Sequence, residues 1–143
     1  MNQRGFATLE VILMVMVIGI LASIAVPRFT NVTTAANTAK IQADLSTIDT
    51  AIAVYQMEKG DNTTPSVDDL VNDGYLQAKP EPPSGSCYYE GNITAISELG
   101  ATNGYATDEI TVSGTGTNAI KTRRGILGSG RTADKFYIPK KTS

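Results

Sequence analysis

The 143-residue chain has no histidine, no tryptophan and one cysteine, Cys87. Without an imidazole there is no serine–histidine pair and no histidine-liganded metal. A lone thiol cannot close an intrachain disulfide, so cysteine usage leaves the redox compartment open. No base stands beside Cys87 in the sequence, so it reads as a small buried strand residue rather than a reactive thiol. No pair of acids stands out as a general acid–base site. Gly128-Ser129-Gly130 lacks the Gly-Lys-Ser/Thr ending and the strand–helix context of a phosphate loop. These gaps argue against an enzyme and against a cofactor.

Charge is unevenly placed. The net charge is −2, yet Ile41 to Ile120 carries twelve acids against two bases, Lys59 and Lys79. From Lys121 to Ser143 there are seven bases and one acid, Asp134. A chain polarised in this way can pair head to tail with its copies or offer a basic tail to an anion; two solvated faces are the plainer reading.

Apolar residues are also segregated. Phe6–Val26 forms a run of about 21 residues with one charge, Glu10, bracketed by Arg4 and Arg28. As a helix it would measure ~32 Å, enough for the hydrocarbon core of a bilayer. Thr8 is a weak helix starter, and Pro27 is expected to end or kink the helix. A secretory signal peptide, with a loose cleavage site at Ala22-Ser23-Ile24-Ala25, a passive anchor and a self-packing anchor all fit the run. Glu10 discriminates among them. A carboxylate inside an apolar span costs roughly 2.5–3.5 kcal/mol. A favourable helix dipole returns only ~0.3–1 kcal/mol. A cationic partner would cover the difference. Cleavage before Phe6 would create one, because the new amine of a neighbouring copy could neutralise Glu10.

Gly5-Phe6-Ala7-Thr8-Leu9-Glu10-Val11, the apolar run and Pro27 together resemble the prepilin signal of type IV pilins and type II secretion pseudopilins. The resemblance implies cleavage after Gly5 by a prepilin peptidase and N-methylation of Phe6. It implies that Glu10 guides assembly, and that the segment from Gly19 to Pro27 can loosen in the filament. Ala7 departs from the commoner threonine but leaves the spacing intact. An assembly platform with its ATPase, a homo-oligomeric helical filament and residence in the cytoplasmic membrane before assembly follow from the same resemblance. The filament would then lie on the cell surface or in the periplasm.

Beyond the run, Ile41, Leu45, Ile48, Ile52 and Tyr55 recur at helical spacing, one apolar stripe on an amphipathic helix over Thr33–Lys59. Gly60 is a plausible C-cap. Ser66 can cap a short helix whose first turn holds Asp68 and Asp69 and which Gly74 stops. Tyr75 and Leu76 should pack inward, and Lys79–Gly85 reads as a rigid proline-rich turn. This order again resembles pilins and major pseudopilins, so the likeness covers about residues 1–85.

Cys87–Tyr89, Ile93–Ile96, Glu109–Val112 and Lys135–Ile138 read as short strands. Ser113–Asn118 and Gly125–Gly130 read as flexible loops. The expected fold is α+β: a long hydrophobic-to-amphipathic helix packed against a small antiparallel sheet of three or four strands. The expected divisions are a leader at 1–5, a membrane and assembly helix at 6–27, its amphipathic continuation at 28–60 and a globular head at 61–143. The chain departs from relatives in lacking a disulfide-closed C-terminal loop. Its C-terminus is also too poor in acids for the calcium that many major pseudopilins hold. No metal is expected.

Arg123, Arg124, Arg131, Lys135, Lys140 and Lys141 are candidates for contact with DNA phosphates or with the acidic midsection of the next subunit. Tyr137 could stack a base. Asn31-Val32-Thr33, Asn62-Thr63-Thr64 and Asn92-Ile93-Thr94 fit the glycosylation acceptor pattern, which a chain rich in Asn and Thr also meets by chance. The sequence is therefore read as a subunit of a type IV pilus, a competence pilus or a secretion pseudopilus. The alternative is a monomeric, membrane-anchored module that binds a ligand or DNA.

Overall fold

A computed structural model describes residues 3–60, 63–114 and 120–140; of residues 3, 4, 26–30 and 120 it describes the backbone alone. It contains α1 (Gln3–Lys59), α2 (Val67–Asn72), β1 (Ser86–Tyr89), β2 (Asn92–Ala95), β3 (Tyr105–Ser113) and β4 (Ile120–Leu127), with short 3-10 turns at Ile96–Leu99, Ala101–Asn103 and Ala133–Lys135. Two compact units result, Met1–Thr33 and Thr34–Ser143.

The helix begins at Gln3, upstream of the expected start at Thr8, and of the two outcomes expected at Pro27, an end or a kink, it does not end there. Proline removes one backbone donor and disfavours a helix interior by ~3 kcal/mol. Apolar helix formers precede it and the amphipathic stripe follows, so helix propagates from both sides.

In the second unit the stripe is the core. Ile41, Leu45, Ile48 and Ile52 are buried, and Tyr55 packs against them half-buried. Ala51, Val67, Leu70, Leu76, Cys87, Ile96, Leu99, Tyr105, Leu127 and Phe136 complete the cluster. Burying each large aliphatic side chain contributes ~1.5–3 kcal/mol, which is why the spacing of Ile41 to Ile52 fixes the face that the head covers. α2 starts as its sequence dictates. The Ser66 hydroxyl accepts from the Asp69 N–H at 3.1 Å, and the Asp69 carboxylate accepts from the Ser66 N–H at 3.0 Å, a capping box. The Ser66 hydroxyl donates to Asp69 as well, and these bonds hold the Asp69 carboxyl below its ordinary value. Gly74 ends the segment at a φ of 83°.

The strands pair antiparallel but form two two-stranded sheets, β1–β2 and β3–β4, instead of the single sheet expected. The turns at Ile96–Asn103 separate the hairpins. Lys135–Ile138 is not a strand. Its backbone meets β1–β2 through one bond, from the Glu90 N–H to the Lys135 carbonyl at 2.7 Å, and Phe136 instead plugs the core, edge-on to Tyr89 at 5.4 Å. The fourth strand is β4, running through Gly125, which had read as loop. A Cβ at Gly125 would lie 2.8 Å from Cγ2 of Ile48. The missing side chain is what brings β4 onto α1. Of the other tract read as loop, residues 115–118 lie outside the described residues.

β1 and β2 join through a two-residue turn, Glu90-Gly91, with φ of 48° and 81°. Positive φ at both positions suits the right-handed twist of a tight hairpin, but glutamate is a strained choice for the first. Lys135 holds Glu90 in place by the backbone bond above and by an ion pair at 2.9 Å.

Candidate assembly interface

The first unit, taken alone, is a helix with nothing over it. Gly5–Ala25 is long and apolar enough to cross a membrane, and its residues face outward on every side, Phe6 at 81% exposure and Ile18 at 64%. A helix that is apolar all round persists only inside lipid or among other helices. Glu10 is exposed on this surface. Leu13, Met14, Val17 and Ile18 lie with it on one face, three, four, seven and eight residues on. Among the described residues the ion pairs all fall within 34–143, and none involves Glu10. Its surroundings can supply acyl chains or apolar side chains, and a cation must come from elsewhere. Gly19 leaves a flat spot, since a Cβ built there would meet nothing within 4 Å. Pro27 is helical in backbone, and its side chain lies outside the described residues.

Several basic residues of the second unit have partners within it. Arg124 grips Asp49 with Nε and Nη2 at 3.2 and 3.0 Å, and reaches Asp134 with Nη1 at 3.0 Å. Arg123 donates to the Thr64 hydroxyl at 3.0 Å, with Glu109 at 3.9 Å. Arg131 donates to the Leu99 carbonyl at 3.1 Å and lies over the Tyr89 ring. Lys135 pairs with Glu90. Lys140 is exposed, and Lys141 lies outside the described residues. Four of the six sequence candidates, Arg123, Arg124, Arg131 and Lys135, therefore have partners within the head. Tyr137 is exposed beside Gly91.

The acids that do this work were not singled out by the sequence. Asp49 accepts from Arg124 and from the Gly125 N–H. Asp44 accepts from the Tyr105 hydroxyl at 2.8 Å and pairs with Lys40. Burial, with help from Asp44, raises the Tyr105 pKa, so that phenol stays a donor. Thr38 accepts from the Tyr88 N–H at 2.8 Å, and Asn37 donates to the Ser84 and Ser86 carbonyls, each at 3.0 Å. A signal was available for two of them: Asp44 and Asp49 are polar residues one position from the apolar stripe, where they can reach over its edge to a neighbouring strand. Cys87 is fully buried in β1, and burial pushes its thiol up to about 11. Among the described residues no group of three acids, cysteines or histidines could hold a metal.

The described structure combines a membrane-length apolar helix bearing one acid with an α+β head built on an amphipathic helical stripe. The chain is 28% identical over 102 residues to the type II secretion system core protein G of Klebsiella michiganensis, covering 61% of this chain and 72% of that one. It is 37% identical over 58 residues to the type IV narrow pilus major component PilA5 of Thermus thermophilus, covering 41% of this chain and 50% of that one. It is also 28% identical over 85 residues to the ComG operon protein 3 homolog of Bacillus licheniformis, covering 59% of this chain and 87% of that one. No family model and no solved structure matches it. These likenesses, all of modest identity or partial coverage, are to type IV pilins, competence pilins and type II secretion pseudopilins.

Proposed function

We propose that this protein is the structural subunit of an extracytoplasmic filament: a type IV pilus, a competence pilus or a type II secretion pseudopilus. Its relatives carry the names of pilus and secretion-system components. The observation that carries the reading is the uncovered apolar surface of Gly5–Ala25 with Glu10 inside it. In lipid that surface is satisfied while Glu10 is not. Packed among copies, the surface stays buried, and Glu10 gains the amine of a neighbouring Phe6 once the chain is cut after Gly5. The apolar gain is similar in both settings, so the charge pair sets the register and extraction requires the assembly platform and its ATPase. Phe6 is the methylated mature N-terminus. Gly19 and Pro27 are the positions where the packed helix can yield. The filament stands on the cell surface or in the periplasm, and the chain's role is mechanical rather than catalytic.

The test is Glu10→Ala in the organism that makes the protein. Sheared surface fibres or pseudopili, viewed by electron microscopy, should disappear while the chain still accumulates in the membrane. Normal fibres built from the variant would refute the reading. A mature protein that retains its first five residues would refute it too.

A further inference from the structure

We infer that Asn92 is a glycan attachment site, its side-chain amide joined to an oligosaccharide supplied on a polyprenyl pyrophosphate. The inference rests on the reading that places the head outside the cytoplasm, where such donors face.

Three segments share the acceptor pattern, and the structure separates them. A transferase must engage the asparagine amide and the hydroxyl two residues on from the same side of an extended chain. In a strand, residues i and i+2 share a face; in a helix they lie about 200° apart around the axis. Asn31 and Thr33 are both in α1, so their side chains diverge. Asn62 lies outside the described residues. Asn92 and Thr94 are in β2, on one face, opposite Tyr89 and Cys87 of β1.

The surroundings of Asn92 fit the same role. It is exposed at the first position after the tight turn. Its Nδ2 donates to the Glu90 carbonyl at 3.4 Å, beyond the usual range for such a bond, so little holds the amide back. Ile93 is 57% exposed and is not proline. β2 pairs with β1 alone among the described strands, leaving its other edge open to an enzyme, and half-buried Thr94 can be reached by peeling that edge. In the transfer, Nδ2 bonds to the anomeric carbon of the first sugar. The bond from that carbon to the pyrophosphate oxygen breaks. The lipid pyrophosphate leaves with the electron pair, and the amide proton passes to an enzymic base. No redox change is involved.

The experiment is mass spectrometry of the full chain purified from the membranes and fibres of the organism that makes it, as wild type, Asn92→Gln, Thr94→Ala and Thr94→Ser. A saccharide mass increment is expected on the peptide holding Asn92 in the wild type. It should vanish in Asn92→Gln and in Thr94→Ala, which keeps the asparagine, and survive in Thr94→Ser, which keeps the hydroxyl. An unmodified Asn92 in the wild type overturns the inference, as does an increment that persists in Asn92→Gln or sits on Asn31 or Asn62. The same spectra read the N-terminus. A methylated Phe6 with a bare Asn92 defeats the glycan and leaves the filament reading intact.

Discussion

The carboxylate of Asp49, on α1, accepts the backbone N–H of Gly125, on β4, at 2.6 Å. The same group takes two bonds from Arg124, so one acid fixes the height of a strand above a helix by main-chain and side-chain contacts together. Asp49→Ala leaves the Gly125 donor and part of the Arg124 guanidinium without partners in a half-buried site. A loss of about 2–3 kcal/mol is expected. Urea unfolding of the detergent-solubilised chain, followed by near-ultraviolet circular dichroism, measures it. Asp134→Asn should cost clearly less, because that end of the network is more than half exposed.

Gly125 makes a second, steric demand on the same contact. Its substitution by alanine places a Cβ 2.8 and 2.9 Å from Cγ2 and Cβ of Ile48 and 3.3 Å from the Leu45 carbonyl. Neither the helix backbone nor a β-branched side chain can move aside cheaply, so β4 must lift. A destabilisation of about 1–3 kcal/mol is expected, with loss of the protection of β4 amides from hydrogen exchange. Gly104→Ala meets no atom within 4 Å but sits at a φ of 75°, so it should cost stability through backbone strain without that loss in β4.

Acid should loosen the C-terminal segment. The Thr132 hydroxyl donates to Asp134 at 2.6 Å and, with Arg124 and Lys135 nearby, holds that carboxyl below its ordinary value of 3.8. A group whose pKa is lower in the folded state stabilises the fold above its unfolded pKa and loses that contribution as the pH falls through the folded value. The unfolding midpoint in urea should therefore decline as the pH drops below about 4. The decline should be shallower in Asp134→Asn.

Cys87 offers a probe of opening. It is fully buried, and burial raises its thiol to about 11, so at pH 8 almost no thiolate exists in the folded chain. Labelling by a water-soluble maleimide should track unfolding of the head, with rates that rise with urea in parallel with the dichroism. Fast labelling in native buffer would contradict the burial.

The elements that local chemistry dictates were legible in advance. The stripe from Ile41 to Ile52, the Ser66 cap and its Gly74 stop, and the strands around Tyr88 and Ile110 each follow from periodicity or capping within a few residues of chain. Phe136 misled because an apolar residue between Tyr137 and Lys135 satisfies a strand pattern as well as a core plug. Gly125 misled because glycine marks a loop in most sequences, and here it marks a close approach to Ile48 from 77 positions away.

The sequence by itself determined that the N-terminal run is apolar on every side, long enough to cross a membrane, and interrupted by one acid, Glu10. Only the tertiary structure decided which partners the charged residues of the head have. Arg124, Arg131 and Lys135 looked available because their partners, Asp49, the Leu99 carbonyl and Glu90, are remote in sequence. A charge is consumed or left over by what lies within about 4 Å of it in space, and linear order does not encode that neighbourhood.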